Sequence, residues 1–347
     1  MIIPVLMAVL IFGNKEDIAT TAATGESHSW AGDSRIVLNK YSNNEGSNIS
    51  LGIGDSYNQF AFSEKFFELF CIPYLLLLGD IWLMVKWVRQ SHTFRKMQKN
   101  GFLFSVLVKR DFTKKYKRTA LGMAWSMLSP LLQLLVMWLV FNRFFGNNVD
   151  HYIIYLFAGQ LVFSFFTDST NSGMEALLEN SDIFTKVNVP KYLFLLSKNV
   201  SSFINFALTL VIFFIFVGVD GVAFSWKYML LLYPILCLMI FNIGTGFVLS
   251  AMYVFFRDIK YLWSVFTLLL MYMSAIFYTI DSYSPFVRNL FLLNPIYVYI
   301  RYFRKIVIDG TIPSIWFHLV AAGYALIMIC LGAWVYKRYN HEFLYYV

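Results

Sequence analysis

YMLLLYPILCLMIFNIGTGFVLSAMYVF, residues 228–255, runs 28 positions without one Asp, Glu, Lys or Arg. As an α-helix at about 1.5 Å per residue it reaches roughly 42 Å, more than the roughly 30 Å of a bilayer's hydrocarbon core. A helix apolar on every side belongs in a large core or in a membrane. Five more runs have this character, at 121–141, 152–167, 199–219, 261–280 and 315–336, and the second extends past Asp168 toward Gly173. As bounded, none of the six holds an Asp, Glu, Lys or Arg, and His318 is the one imidazole among them.

Composition agrees with that reading. Of 347 residues, 59% are hydrophobic and 14% charged, and the mean hydropathy is +0.60. A soluble domain carries about 25% charged residues, so water-facing surface cannot be covered here. The apolar runs are continuous rather than alternating, which excludes a membrane barrel, and the same composition excludes disorder. The expected fold class is an all-α integral membrane protein with a six-helix bundle. The net charge of +8 comes from residues beside the apolar runs, which fits the positive-inside rule and not nucleic-acid binding. Cys71, Cys237 and Cys330 are isolated inside apolar runs and form no metal or redox motif.

The first 100 residues form an N-terminal extension of different character. Residues 1–12 are apolar but too short to span, and 13–65 are polar, as an exposed segment is. Residues 66–88 make an extra candidate span that contains Glu68 and Asp80. Between 86 and 118 stand eleven Lys or Arg with Asp111 as the sole acid, which places that stretch in the cytoplasm and the polar segment outside. Six further spans then return the C-terminus, with Lys337 and Arg338, to the cytoplasm. The loop 281–314 falls outside although it carries Arg288, Arg301, Arg304 and Lys305, and its short apolar stretches suggest a re-entrant or surface-lying hairpin.

No phosphate-cradling motif, G-x-x-x-x-G-K-[ST] or G-x-G-x-x-G, is present. Catalysis or ion-driven transport in a membrane needs placed ionisable groups. The spans offer only His318, read as a hydrogen-bonded interface residue, and Asp168 at a helix edge. A transporter of this kind needs an external engine. Residues 102–118 form an amphipathic helix, with Phe104, Val108, Phe112 and Tyr116 on one stripe. Lys109, Arg110, Lys114 and Lys117 lie opposite, with Lys115 and Arg118 adding to the charge, as expected of a helix flat on the inner leaflet. On the fifth span Ser264, Thr267, Ser274 and Tyr278 share a face. That face is either a polar conduit for substrate or a packing surface.

The run KRDFTKKYKRTALGMAWSMLSP (109–130) resembles the leading segment of permease subunits of ABC type-2 polysaccharide exporters, which move O-antigen, teichoic acid or capsule. SDIFTKVNVPKYLFLLS (181–197), FFRDI (255–259) and LNP (293–295) extend the resemblance over residues 101–347, although Leu195 stands where many members carry a second proline. The resemblance implies a homodimer in the cytoplasmic membrane that exports a lipid-linked polysaccharide. The energy comes from a separate ATP-binding subunit that holds ATP and Mg²⁺, and this chain binds no cofactor or metal. It also implies gate helices in the outer loop 281–314 and a cytoplasmic interface that includes Arg257 and Asp258. The coupling segment maps onto Asp182, Ile183, Phe184, Lys186, Val187, Asn188, Val189, Pro190 and Lys191. Exposed apolar residues in so short a loop cost free energy unless a partner covers them, and Pro190 stops the preceding turn from running on. The alternatives are an ABC type-2 permease for a lipid or drug and a polytopic membrane enzyme of glycan assembly.

Overall fold

The computed structural model describes residues 100–346 apart from 117–121, 123, 147–148, 188, 223, 281–282, 341 and 345. The N-terminal segments and the extra span at 66–88 therefore lie outside the described residues, as do Lys117, Arg118 and Asn188. Among the described residues the chain is helical throughout, with no strand. The α-helices are α1 (Gly101–Tyr116), α2 (Ala124–Phe145), α3 (Tyr152–Glu179), α4 (Ser181–Phe184), α5 (Tyr192–Val219) and α6 (Leu232–Phe255). They continue with α7 (Ile259–Met273), α8 (Pro285–Phe291), α9 (Pro295–Val307) and α10 (Ile315–Tyr339), and 3-10 turns cover Trp226–Leu231 and Glu342–Leu344.

Among the described residues five helices are long and apolar enough to cross a membrane: α2, α3, α5, α6 with its 3-10 lead-in, and α10. Only helices that satisfy their own backbone groups can do so. At the centre, α3 packs between α5 and α6, and α6 packs along α10. Small residues make the close approaches. A methyl group on Gly244 of α6 would overlap the backbone of Met328 on α10, and one on Gly173 of α3 would lie 3.2 Å from the Gly246 Cα. By contrast α2 buries only Ser126 and Leu134, and α7 buries only Thr267.

The fifth span differs from the expectation of one helix over 261–280, because α7 stops at Met273 after 15 residues. Side chains from other helices take up backbone oxygens just beyond its end. Asn294 Nδ2 donates to the Met273 oxygen at 3.2 Å, and the Arg304 guanidinium donates to Ala275 and Ile276 at 2.8 and 2.9 Å. Tyr152 and Tyr155 hydroxyls donate to Phe277 and Tyr278 at 2.8 and 2.7 Å, and Ala275 takes a positive φ of 49°. Continuing the helix would pull these oxygens back into i→i+4 bonds, so the distant donors hold the break open. Arg304 lies on α9, a helix buried along nearly its whole length.

Candidate functional site

The charged end of the bundle is built from α1, the last turns of α3, the first turns of α5 and the 181–191 connection. On α1 the buried edge carries Leu107 and Asp111, while Phe104, Val108 and Phe112 of the expected apolar stripe are half-buried. Asp111 is placed by its partners. Arg110 donates to Oδ1 at 2.8 and 3.1 Å, and the Ser197 hydroxyl on α5 donates to Oδ2 at 2.7 Å. Arg110 also reaches Asn180 Oδ1 at 2.6 Å, and Asn180 in turn donates to the Ala176 oxygen at 2.7 Å. One carboxylate thus ties α1 to α5 and to the end of α3.

The α3 helix extends beyond its apolar run and brings Asp168, Glu175 and Glu179 with it. Each acid meets a lysine from another helix. Lys115 of α1 lies 2.7 Å from Asp168, and Lys260 of α7 lies 2.6 Å from Glu175. Glu179 holds both Lys198 of α5 at 2.8 Å and Lys114 of α1 at 3.3 Å. Three helices therefore converge on one acidic edge. Lys109, Arg257 and Asp258 are exposed at this end, and Arg257 lies 5.9 Å from the Tyr253 ring.

The 181–191 segment is only partly open. Asp182, Thr185, Lys186 and Val187 are exposed, Val187 at 55%, and Ile183, Val189, Pro190 and Lys191 are intermediate. Phe184, expected to be an exposed docking residue, is instead buried at 6% exposure in a cluster with Leu193, Phe194 and Phe343. Its ring packs on Phe194, 6.2 Å between centroids, and the chain's own C-terminal tail adds the Phe343 ring to the same cluster. Lys191 clamps the arrangement, since its Nζ donates to the Asn340 oxygen at 2.7 Å and sits 5.6 Å from the Phe184 and Phe343 rings. Burial of this ammonium pulls its pKa below the ordinary lysine value.

The four hydroxyls expected on one face of the fifth span do not share a helix. Ser264 and Thr267 lie on α7, Ser274 caps its end, and Tyr278 lies beyond the break. Each donates to a backbone oxygen of its own segment: Ser264 to Tyr261, Thr267 to Ser264, Ser274 to Leu270 and Tyr278 to Tyr272, at 2.6–2.9 Å. Only Ser264 is exposed. His318 is hydrogen-bonded on both ring nitrogens, to Ser314 O at 3.0 Å and to Tyr302 OH at 2.6 Å. A carbonyl can only accept, so Nδ1 carries the proton and Nε2 accepts from the tyrosine.

Arg304 and the Asp111–Ser197 pair were not among the expected site residues. Arg304 stood in the sequence only as a charge on the wrong side of the topology. Nothing in local spacing marks Ser197, 86 positions from its carboxylate.

A family model described as ABC-2 type transporter matches residues 102–308. The O-antigen export system permease protein RfbA of Myxococcus xanthus is 25% identical over 262 residues, covering 75% of this chain and 98% of that protein. An O-antigen export system permease protein RfbA of Klebsiella pneumoniae is 24% identical, covering 72% of this chain and 97% of its own length. The capsule polysaccharide export inner-membrane protein CtrC of Neisseria meningitidis is 20% identical, covering 71% and 97% respectively.

Proposed function

Because the chain belongs to the ABC-2 type transporter family, we propose that this multi-pass membrane protein is the permease subunit of an ATP-driven exporter. Its cargo is a lipid-linked polysaccharide of the O-antigen, teichoic-acid or capsule kind, carried across the cytoplasmic membrane. The names of the relatives, two O-antigen permeases and a capsule exporter, each matched over nearly its full length, support the O-antigen and capsule part of this reading. The teichoic-acid option and the lipid linkage rest on the resemblance of 109–130 and 181–197 to the exporters. ATP and Mg²⁺ are held by a separate ATPase subunit, and this chain catalyses no reaction itself.

One observation carries the coupling. The 181–187 turn exposes Asp182, Lys186 and Val187 on a base stiffened from beneath by Phe184, Phe343 and Lys191. A rigid base lets a push on the turn pass into α3 and α5, which flank it. The basic residues of 109–118 support a cytoplasmic position for this end, where an ATPase would dock, and Arg257 and Asp258 lie exposed at the same end. The sparse burial of α2 and α7 leaves apolar faces that lipid or a second copy can cover, and a homodimer with the substrate path along those faces is the reading that the resemblance to the exporters favours. Ser264 is exposed there, as are Tyr261 and Tyr272.

The test is a pair of substitutions. Val187→Asp changes an exposed side chain, so the permease stays folded while co-purified ATPase falls at least about tenfold, equivalent to about 1.4 kcal/mol of docking energy. Phe184→Asp buries a charge and lowers the amount of folded permease itself. Unchanged ATPase recovery and export with Val187→Asp would remove the turn from the coupling path.

A further inference from the structure

A groove of about 290 Å³ opens between α1, α3 and α5. Six charged side chains line it: Asp111, Lys114, Lys115, Asp168, Glu179 and Lys198, three anions and three cations. The hydroxyls of Ser172, Ser201 and Ser202 lie between them. Asp168 lies sixteen residues after Tyr152, the first residue of α3, about 24 Å along the helix, which puts the groove toward the inner edge of a hydrocarbon core of roughly 30 Å. At that level the Lys115–Asp168 pair is still open, with 44% and 34% of its side chains exposed. Charges at that edge meet lipid headgroups rather than lipid chains.

We propose that the groove is a binding site for the headgroup of a zwitterionic phospholipid with a primary ammonium, as in phosphatidylethanolamine. The mixture of charge selects the zwitterion, because a lone anion that gains from the lysines is repelled by Asp168 and Glu179, while Asp111 is already held by Arg110 and Ser197. A headgroup with both signs can meet both. The cation freest to turn toward phosphate is Lys114, which sits at 3.3 Å from a carboxylate that Lys198 already holds at 2.8 Å. The ammonium donates to the carboxylates of Asp168 and Glu179 and to the serine hydroxyls. A choline group has no N–H to donate and makes none of these bonds. In this place the lipid acts as a removable wedge that fixes α1 against α3 and α5. The proposal goes beyond the export reading and does not depend on it.

The test uses the full-length chain, delipidated in detergent and offered equal amounts of phosphatidylethanolamine, phosphatidylcholine and phosphatidylglycerol, with bound lipid counted by native mass spectrometry. The expected result is at least tenfold preference for phosphatidylethanolamine over each of the others. The double variant Lys115→Ala/Asp168→Ala leaves the net charge unchanged and removes the preference. Ser172→Phe keeps every charge, fills the groove and removes it as well, which guards against one variant failing to fold. Preference for phosphatidylglycerol would make the groove a plain basic patch, and equal retention of all three would make it no site. Either result overturns the proposal, as does a phosphatidylethanolamine preference that survives both variants.

Discussion

Replacing Arg304 by Met should be among the most damaging changes outside the helix crossings. The guanidinium donates to the backbone oxygens of Tyr155 (3.0 and 3.2 Å), Ala275 (2.8 Å) and Ile276 (2.9 Å), and lies 3.4 Å from the centre of the Tyr155 ring. The residue is 7% exposed. Methionine fills similar space but leaves these oxygens without their donors in a site closed to water. An unsatisfied buried carbonyl costs about 1–3 kcal/mol, and release of the buried cation recovers part of the sum. The net loss should be about 3 kcal/mol, a fall of about 4 °C in the thermal midpoint, since an unfolding entropy of about 2.1 cal/mol/K per residue over 347 residues gives about 1.4 °C per kcal/mol. Arg304→Lys keeps the charge but not the fork and should fall between the two. Arg301→Met is the control. Arg301 makes one bond, to the Tyr297 hydroxyl at 3.1 Å, and stacks on Phe317 at 5.6 Å, so its loss should cost no more than about 1 kcal/mol. Tryptophan-fluorescence melting of the detergent-purified proteins measures all three. A midpoint for Arg304→Met within about 1 °C of wild type, under about 1 kcal/mol, would refute the clamp.

The other expectations concern packing. Phe343→Ala removes a fully buried ring from beneath Phe184 and Lys191 and should cost about 3–5 kcal/mol in the same melt, and a negligible shift would mean the tail does not support the coupling turn. Gly244→Ala drives a methyl into the Met328 backbone and should split α6 from α10, visible as loss of monodisperse protein on size exclusion. Gly323→Ala, with open space around it, should be neutral or slightly stabilising by up to about 1 kcal/mol.

The spans were legible because apolar runs of about 20 residues have few alternatives in a chain so poor in charge. Their ends were not. α3 and α5 run through Glu175, Glu179 and Lys198 because those charges find partners on neighbouring helices, which a hydropathy criterion cannot register. The break after Met273 was invisible for a related reason. The segment 274–280 reads as helix locally, and the donors that open it are Tyr152 and Tyr155, over a hundred positions earlier, and Arg304, 28–29 positions later. The arginines that contradicted the positive-inside pattern were therefore the useful clue, since Arg304 is spent on backbone oxygens and Arg301 on an aromatic ring. The 181–191 turn was placed between two spans by its sequence, whereas the burial of Phe184 in a cluster with Phe343 of the tail was not. Pairings across such separations are set by the fold and leave no local trace.

Surface display of the polymer tests the central claim most directly. In a strain deleted for this chain, polymer reached by an impermeant lectin on intact cells is compared with polymer reached after lysis. The account predicts at least a tenfold loss of surface polymer with lipid-linked polymer accumulating inside, restored by the wild-type chain and not by Val187→Asp. Surface polymer at the parental level in the deletion strain would contradict it.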